Sequence, residues 1–210
     1  PVSEFEATSR GTRGKAGTRS QGEEAVRLFI SCNDHDSLLL FSDRIEHFIP
    51  PKKGRAHVLR IVRDVLSVQP AGTTTRLGVA CDYLAHVTRK RAVVFVLSDF
   101  LGGEPGDERA LGVLARRHDL VPVVVSDAAE RQWPALGGLA ALEDAETGEL
   151  IWVDVGDPQT LLRWAQRSAV AARRRDDLFR KHGLEPIGAV VGEDYLPQLI
   201  SFFRRRAARP

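Results

Sequence analysis

The stretch that decides the fold is AVVFVLSDF, residues 92–100. Its first six residues are apolar without interruption and rich in valine, which predicts a strand buried on both faces, as at the centre of a parallel sheet. The run ends in Ser98-Asp99, so a carboxylate follows where the strand stops. Open α/β sheets bind ligands and metals at the carboxyl ends of central strands. Asp99 is therefore either a functional group or a cap for the following loop, and the strand alone leaves both open.

Buried strands and amphipathic helices alternate on either side of this stretch. Residues 1–22 are polar and rich in Gly, Ser, Thr and Arg, and they predict a flexible or degenerate N-terminal segment. Helical spacing begins at Glu23, and Glu146-Thr147-Gly148 predicts the turn of a β-hairpin at about 140–155. The apolar pattern predicts further strands at 37–42, 45–49, 92–98, 120–125 and 186–191, and helices over 55–68, 75–88, 107–117, 158–182 and 195–206. Such alternation indicates one α/β domain over 23–206, its parallel sheet covered on both faces.

The bulk composition narrows the class of protein. The 210 residues are 43% apolar and carry a formal net charge of +2, which is enough for one full core and does not call for a nucleic-acid partner. No run approaches the roughly 18–20 apolar residues that span a bilayer, and we expect a cytoplasmic protein. The two cysteines, Cys32 and Cys81, lie in apolar helical patterns and are predicted to be buried thiols in a reducing compartment.

The beginning of the chain sets a further expectation. The sequence starts at Pro1 and contains no methionine, which indicates a fragment of a longer protein. We expect any membrane contact to come through a missing N-terminal part, so that the parent protein could be membrane-anchored.

Thr75 and Asp99 form the most coherent pair of candidate site residues. Thr75 lies where a helix is predicted to start, and that helix leads directly into the strand that ends at Asp99. In a right-handed crossover, a helix start and a strand end can lie at the same edge of the sheet. A hydroxyl and a carboxylate are hard oxygen ligands suited to Mg²⁺ or Mn²⁺. The alternative for Thr75 is an ordinary helix N-cap.

The same residues carry a resemblance. Residues 72–77, Leu84 and residues 92–100 resemble a von Willebrand factor A-type domain. Residues 38–60 resemble one branch of it, the bacterial domain-of-unknown-function family 58, with a similar FSDRVE-F-PP-KGR-HVL stretch. Members also share a later SDF and an ending like residues 194–197 before a Phe-Phe-Arg-Arg helix. The resemblance implies a Rossmann-like three-layer sandwich with a mostly parallel central sheet.

The resemblance also implies a metal-ion-dependent adhesion site. Its parts are Asp-x-Ser-x-Ser after the first strand, a Thr before a helix and an Asp after a later strand. Thr75 and Asp99 match the last two parts. The first part falls on residues 4–8, where Glu4 and Thr8 are the candidate ligands and depart from the pattern. We therefore expect Mg²⁺ to bind weakly or not at all.

The function predicted from these features is protein–protein interaction, with no catalytic residue assigned. The resemblance implies a bacterial protein that works with MoxR-type AAA+ ATPases. One alternative is a Mg²⁺-dependent hydrolase that uses Asp99, with Asp127 as a second carboxylate. Another is a module that binds nucleic acid or an acidic surface through a basic helix. The basic residues of that helix are Arg163, Arg167, Arg173, Arg174, Arg175, Arg180 and Lys181.

Overall fold

The computed structural model describes residues 2–9, 12–16, 26–32, 35–72, 74–101, 106–126, 138–144 and 150–208. The chain divides into two compact units, a smaller one of Pro1–Gln21 with Asp127–Asp176 and a larger one of Gly22–Ser126 with Asp177–Pro210. Each unit contains a sheet of its own, and the single domain over 23–206 stays a prediction.

The described elements follow the predicted alternation over most of the chain. In chain order they are β1 (Val2–Ser9), β2 (Thr12–Ala16), β3 (Val26–Cys32), β4 (His35–Phe41), β5 (Ile45–Lys52), α1 (Arg55–Ser67), α2 (Leu77–Val87), β6 (Val93–Ser98), α3 (Asp107–Arg117), β7 (Asp119–Ser126), β8 (Leu139–Asp144), β9 (Leu150–Asp154), α4 (Pro158–Lys181), β10 (Ile187–Val190) and α5 (Leu196–Ala207).

The larger unit is built on a six-stranded sheet in the order β10-β7-β6-β3-β4-β5. The pairs β10–β7 and β7–β6 are parallel, whereas β6–β3, β3–β4 and β4–β5 are antiparallel. The expected mostly parallel sheet is therefore wrong in detail, and the sheet is mixed. Strands β4, β6, β7 and β10 run in one direction, so the three strands predicted at 37–42, 92–98 and 120–125 share a direction. The first two are not neighbours, because β3 lies between them.

Strand β3 replaces a predicted helix. The residues from Glu23 to Ile30 have helical spacing, but Val26–Cys32 pairs with β4 on one side and β6 on the other. A short apolar run fits a buried strand or a buried helix equally well, and the position between two buried strands satisfies its backbone on both sides. The interpretation of Cys32 as a helical residue is wrong for the same reason.

Strand β4 shows why helices cover both faces of this sheet. Its side chains alternate, with Leu39 and Phe41 facing one way and Leu38 and Leu40 the other, and all four are buried. On the first face, α2 and α3 contribute the buried residues Ala80, Cys81, Leu84, Leu111 and Leu114. On the second face, α1 contributes Ile61, and α5 contributes Phe202. The predicted covering of the sheet by helices on both faces is confirmed.

The smaller unit is an antiparallel sheet in the order β2-β1-β8-β9. Strands β8 and β9 confirm the hairpin predicted at 140–155, while its predicted turn at 146–148 lies outside the described residues. Of the segment 1–22, for which the sequence predicts a flexible or degenerate stretch, 2–9 and 12–16 are strands of this sheet, and the other residues lie outside the described ones. Every backbone group of an isolated N-terminal segment would face water, and β8 supplies β1 with partners that the local sequence does not reveal.

Two further observations concern the burial of Cys81 and the hydropathy of the helices. Cys81 is 1% exposed in the core, and burial raises the pKa of its thiol to about 12, with Asp107 and Asp82 adding to the shift. Over the described ranges, no helix is both long and apolar enough to cross a membrane.

Candidate functional site

The carboxyl ends of the co-directional strands bring polar residues to one edge of the larger sheet. Strand β4 is followed by Ser42-Asp43 and β6 ends at Ser98, followed by Asp99. Strand β7 ends at Ser126, and Asp127 lies outside the described residues. The same Ser-Asp dipeptide thus follows three strands that point the same way. The sequence shows the dipeptide after the predicted strands at 92–98 and 120–125, and the structure adds Ser42-Asp43 after β4 at the same edge.

Asp99 holds the loop after β6. Its Oδ1 accepts the backbone N–H of Leu101 at 3.1 Å, and Ser98 Oγ accepts the N–H of Phe100 at 3.1 Å. Phe100 has a φ of 54°, in the left-handed region that few residues other than glycine adopt. Its ring meets the ring of Phe179 edge-on at 5.0 Å, and this contact holds the unusual backbone in place. The loop-cap role for Asp99 is therefore observed.

Thr75 lies at the same edge but does not cap a helix. Helix α2 begins at Leu77, and Arg76 is its N-cap residue. The Arg76 side chain makes no capping hydrogen bond to the helix. The backbone N–H of Arg76 donates to the carbonyl of Ser42 at 3.0 Å, which holds this segment beside the end of β4. Since β4 and β6 run in the same direction, Thr75 and Asp99 share the carboxyl edge, separated across it by β3.

The cap of α2 comes from another helix. Asp107, in the first turn of α3, accepts the N–H of Gly78 through Oδ1 at 2.7 Å. A Cβ at Gly78 would lie 2.6 Å from that oxygen, so a larger residue there would displace the Asp107 carboxylate. The carboxylate thus satisfies one of the unpaired N–H groups at the start of α2.

A second polar cluster at this edge consists of Ser42, Glu46 and Gly72. Ser42 is 2% exposed and donates to Glu46 Oε1 at 2.5 Å, while the N–H of Gly72 donates to the same oxygen at 2.8 Å. The Ser42 hydroxyl lowers the pKa of Glu46, and the backbone N–H groups of Gly72 and Ala71 lower it further. No local sequence pattern predicts this cluster, because its members are brought together only by the fold.

Gly72 is required by the same packing. A Cβ at this position would lie 2.1 Å from Ser42 Oγ and 2.3 Å from Asp43 Oδ1, far inside van der Waals contact. Asp43 in turn accepts two hydrogen bonds from Arg44, at 2.8 and 3.1 Å, and this pairing lowers the pKa of Asp43. The carboxylates at this end of β4 are therefore held in fixed positions.

The predicted metal ligands are divided between the two units. Thr75 and Asp99 belong to the larger unit, whereas Glu4 and Thr8 lie on β1 of the smaller unit. Within the described part of the chain, no group of three or more His, Cys, Asp or Glu side chains is arranged to hold a metal ion. Thr75 and Asp99 supply two oxygen ligands, and Mg²⁺ prefers six in octahedral geometry. The described residues do not by themselves complete a magnesium site.

The basic helix is partly neutralised by neighbouring acids. Arg180 pairs with Asp177 at 2.9 Å, and Lys181 pairs with Glu108 of α3 at 2.5 Å. Exposed pairs of this kind contribute little to stability, but they reduce the positive field that an acidic partner would meet.

Comparisons with known proteins give mycobacterial relatives described as uncharacterized and one short match to a DNA gyrase subunit. The chain is 31% identical over 166 residues to an uncharacterized protein of Mycobacterium tuberculosis, covering 76% of this chain and 51% of that protein. It is 29% identical over 162 residues to an uncharacterized protein of Mycobacterium avium, covering 75% of this chain and 93% of that protein. A 44-residue segment is 48% identical to part of a DNA gyrase polypeptide from a Synechocystis species, which is 21% of this chain and 5% of that polypeptide.

The chain spans about half the length of the Mycobacterium tuberculosis relative. No solved structure gives a significant match. Residues 25–176, more than half of the chain, match the family described as "Protein of unknown function DUF58". The chain therefore belongs to the DUF58 family.

Proposed function

We propose that this chain is a protein–protein interaction module with a von Willebrand factor A-type fold, and that it binds a partner without catalysing a reaction. The fold proposal is supported by the mixed sheet with helices on both faces and by the polar edge where co-directional strands end. The resemblance of residues 38–60 and 92–100 supports it from the sequence.

The observation that carries the proposal is the way in which the edge carboxylates are held. Asp99 accepts the N–H of Leu101, and Glu46 accepts the N–H of Gly72 from a segment 26 residues later in the chain. These contacts fix the edge in one shape before a partner arrives. A surface that is already ordered loses less conformational freedom on binding, which favours recognition.

The proposed partner is a MoxR-type AAA+ ATPase, with which the chain would act in the assembly or maturation of other complexes. Thr75 and Asp99 form a partial site for a divalent cation, and Glu4 and Thr8 remain the two weaker candidates. We propose a cytoplasmic location for this domain. The Mg²⁺-dependent hydrolase and the nucleic-acid-binding module stay untested predictions.

Binding to a purified MoxR-type ATPase from the same bacterium, measured by biolayer interferometry, tests the proposal. Arg44 is 60% exposed at the edge, and Arg44→Glu is expected to weaken binding by about tenfold or more. Arg205→Glu is the matched control, because the Arg205 side chain is 53% exposed and pairs with Glu185, which precedes β10 at the opposite edge of the sheet. Failure of the wild-type chain to bind, or equal loss in both variants, would overturn the proposal.

A further inference from the structure

Helix α1 presents apolar side chains to the solvent. Its sequence predicts a helix with a core-facing apolar stripe, yet only part of its apolar surface faces inward. Ile61 is 3% exposed and packs with Leu38, Leu40 and Ile49. The outward apolar side chains are Val58, Leu59, Val62 and Leu66, exposed by 41%, 60%, 49% and 81%. We call these four residues the α1 stripe.

Polar contacts fix this orientation of the helix. His57 and Asp64 are each 8% exposed and face inward beside Ile61. A ring nitrogen of His57 lies 2.8 Å from the carbonyl oxygen of Asp36, and His47 lies 3.2 Å from the Asp64 carboxylate. Rotating α1 to bury the stripe would break both contacts and expose Ile61. The stripe is therefore a stable feature of the surface and not a consequence of loose packing.

The charge around the stripe has one sign. Helical geometry of about 100° per residue places Arg55 within about 20° of Leu66 and Arg63 within about 40° of Leu59. The Arg63 side chain is 72% exposed. Asp64 is the only acidic residue of α1 in the sequence; it is 8% exposed, and its Oδ1 accepts two hydrogen bonds from Arg63, at 3.0 and 3.1 Å. The three arginines of α1 outnumber this one carboxylate, so the helix keeps a net positive charge. The outward face of the helix is thus apolar and cationic.

We propose that the α1 stripe, with Arg55 and Arg63 beside it, binds an acidic amphipathic helix of a protein partner. A partner helix of similar length, about 20 Å, could place its apolar residues against the stripe and its carboxylates against the two arginines. The inference rests on the proposed function in that the partner is a protein, and it adds the surface and the chemistry of that partner.

Charge and composition favour this occupant over two others. A second copy of the chain would bring two faces of the same positive charge together, and this repulsion disfavours a symmetric pair. Helices that lie on membranes commonly insert Trp, Phe or Leu, and the α1 stripe offers two leucines without Trp or Phe, so it fits a lipid surface less well than a protein partner. An acidic partner helix would bury the apolar side chains of the α1 stripe and place carboxylates beside its arginines.

The test uses a fluorescent synthetic peptide of about 14 residues with leucines on one helical face and glutamates elsewhere. Two control peptides are a scrambled sequence of the same composition and a version with lysine for every glutamate. Fluorescence anisotropy is expected to show binding of the acidic amphipathic peptide about tenfold tighter than of either control. Equal binding of the scrambled peptide would overturn the inference.

Variants of the chain locate the binding surface. We expect peptide binding to weaken by about tenfold in each of the variants Leu66→Ser and Leu59→Ser. Arg63→Glu is expected to weaken it by a similar factor. Leu162→Ser is the matched control, because Leu162 on α4 is 58% exposed, close to the value for Leu59. Circular dichroism shows whether each variant folds. Peptide binding that Leu66→Ser leaves unchanged contradicts the assignment.

The other occupants give distinct results. A dimer in light scattering that Leu66→Ser dissociates would identify a second copy as the occupant. Binding to phosphatidylserine vesicles that depends on Leu66 and not on peptide helicity would identify a lipid surface. Either result overturns the inference. If Arg44→Glu abolishes ATPase binding while Leu66→Ser leaves both ligands bound, the proposed function stands and this inference fails. If the peptide binds and the ATPase does not, this inference stands and the proposed function fails.

Discussion

The carboxylate of Glu46 accepts the backbone N–H of Gly72 at 2.8 Å, joining β5 to the chain segment that follows α1. The same carboxylate accepts the Ser42 hydroxyl, so one side chain connects three segments at the carboxyl edge of the sheet. The space that this contact leaves at Gly72 has no room for a side chain.

Gly72→Ala is therefore expected to destabilise the protein. The new methyl group would lie 2.1 Å from Ser42 Oγ, and relieving that overlap would displace Ser42 or the segment itself. Overpacking of this kind costs about 1–3 kcal/mol, measured as the free energy of unfolding in urea. Gly188→Ala is the control, because a Cβ there meets nothing within 4 Å, and we expect a change within about 0.5 kcal/mol. Equal stability of both variants would contradict the packing argument.

The pH dependence of unfolding should report Glu46. Its pKa is lowered from the usual 4.5, first by the hydroxyl of Ser42 and then by the N–H groups of Gly72 and Ala71. A folded-state pKa below the unfolded value means that charged Glu46 stabilises the fold above about pH 4.5. That stabilisation disappears as the pH falls through the folded-state pKa.

Glu46→Gln keeps an acceptor for the same donors but cannot titrate. The free energy of unfolding of the wild type should therefore fall more steeply between about pH 5 and pH 3 than that of the variant. Ser42→Ala removes the largest cause of the pKa shift but keeps the carboxylate, so its slope should lie between the two. Parallel pH curves for all three proteins would show that Glu46 contributes nothing to the acid transition.

Asp107→Ala tests the cap that α3 supplies to α2. Loss of the 2.7 Å bond to the N–H of Gly78 leaves the start of α2 without that acceptor, at a cost of about 1 kcal/mol. Glu108→Ala, one residue later, removes an exposed pair with Lys181 and is expected to cost less. Hydrogen exchange of the Gly78 amide should speed up in the first variant and not in the second. If Glu108→Ala destabilised the protein more than Asp107→Ala and exposed the Gly78 amide to faster exchange, Asp107 would not be the cap of α2.

The sequence predicted those elements whose local pattern agrees with their final surroundings. Strand β6 and helices α1, α2 and α3 were found within two residues of their ends, since their apolar spacing matches the faces that they bury. Strand β3 was missed because its apolar run fits either element, and only the neighbouring strands β4 and β6 decide between them. Of the candidate site, Asp99 followed from the end of one strand. The bond from Gly72 to Glu46 joins residues 26 positions apart, which no local pattern reveals.

The last prediction concerns magnesium. Mg²⁺ requires near-octahedral oxygen ligands at about 2.0–2.1 Å and tolerates misplaced ligands poorly. Asp99 already accepts the N–H of Leu101 through Oδ1, and Thr75 adds one hydroxyl, so the larger unit offers two of the proposed ligands. At position 4 a glutamate stands where the motif has an aspartate, and ordering the longer glutamate arm on binding costs more free energy. We therefore expect this chain to bind Mg²⁺ weakly or not at all.

Calorimetric titration of the chain with Mg²⁺ and with Mn²⁺ checks this expectation. Because Asp99 also holds the loop after β6, Asp99→Ala could act through the loop. Thr75→Val, which removes only a hydroxyl at nearly constant volume, separates the two effects. No saturable heat is expected below about millimolar metal, either for the wild type or for the variants. Saturable binding in the low micromolar range that both Thr75→Val and Asp99→Ala abolish would show a complete site at this edge.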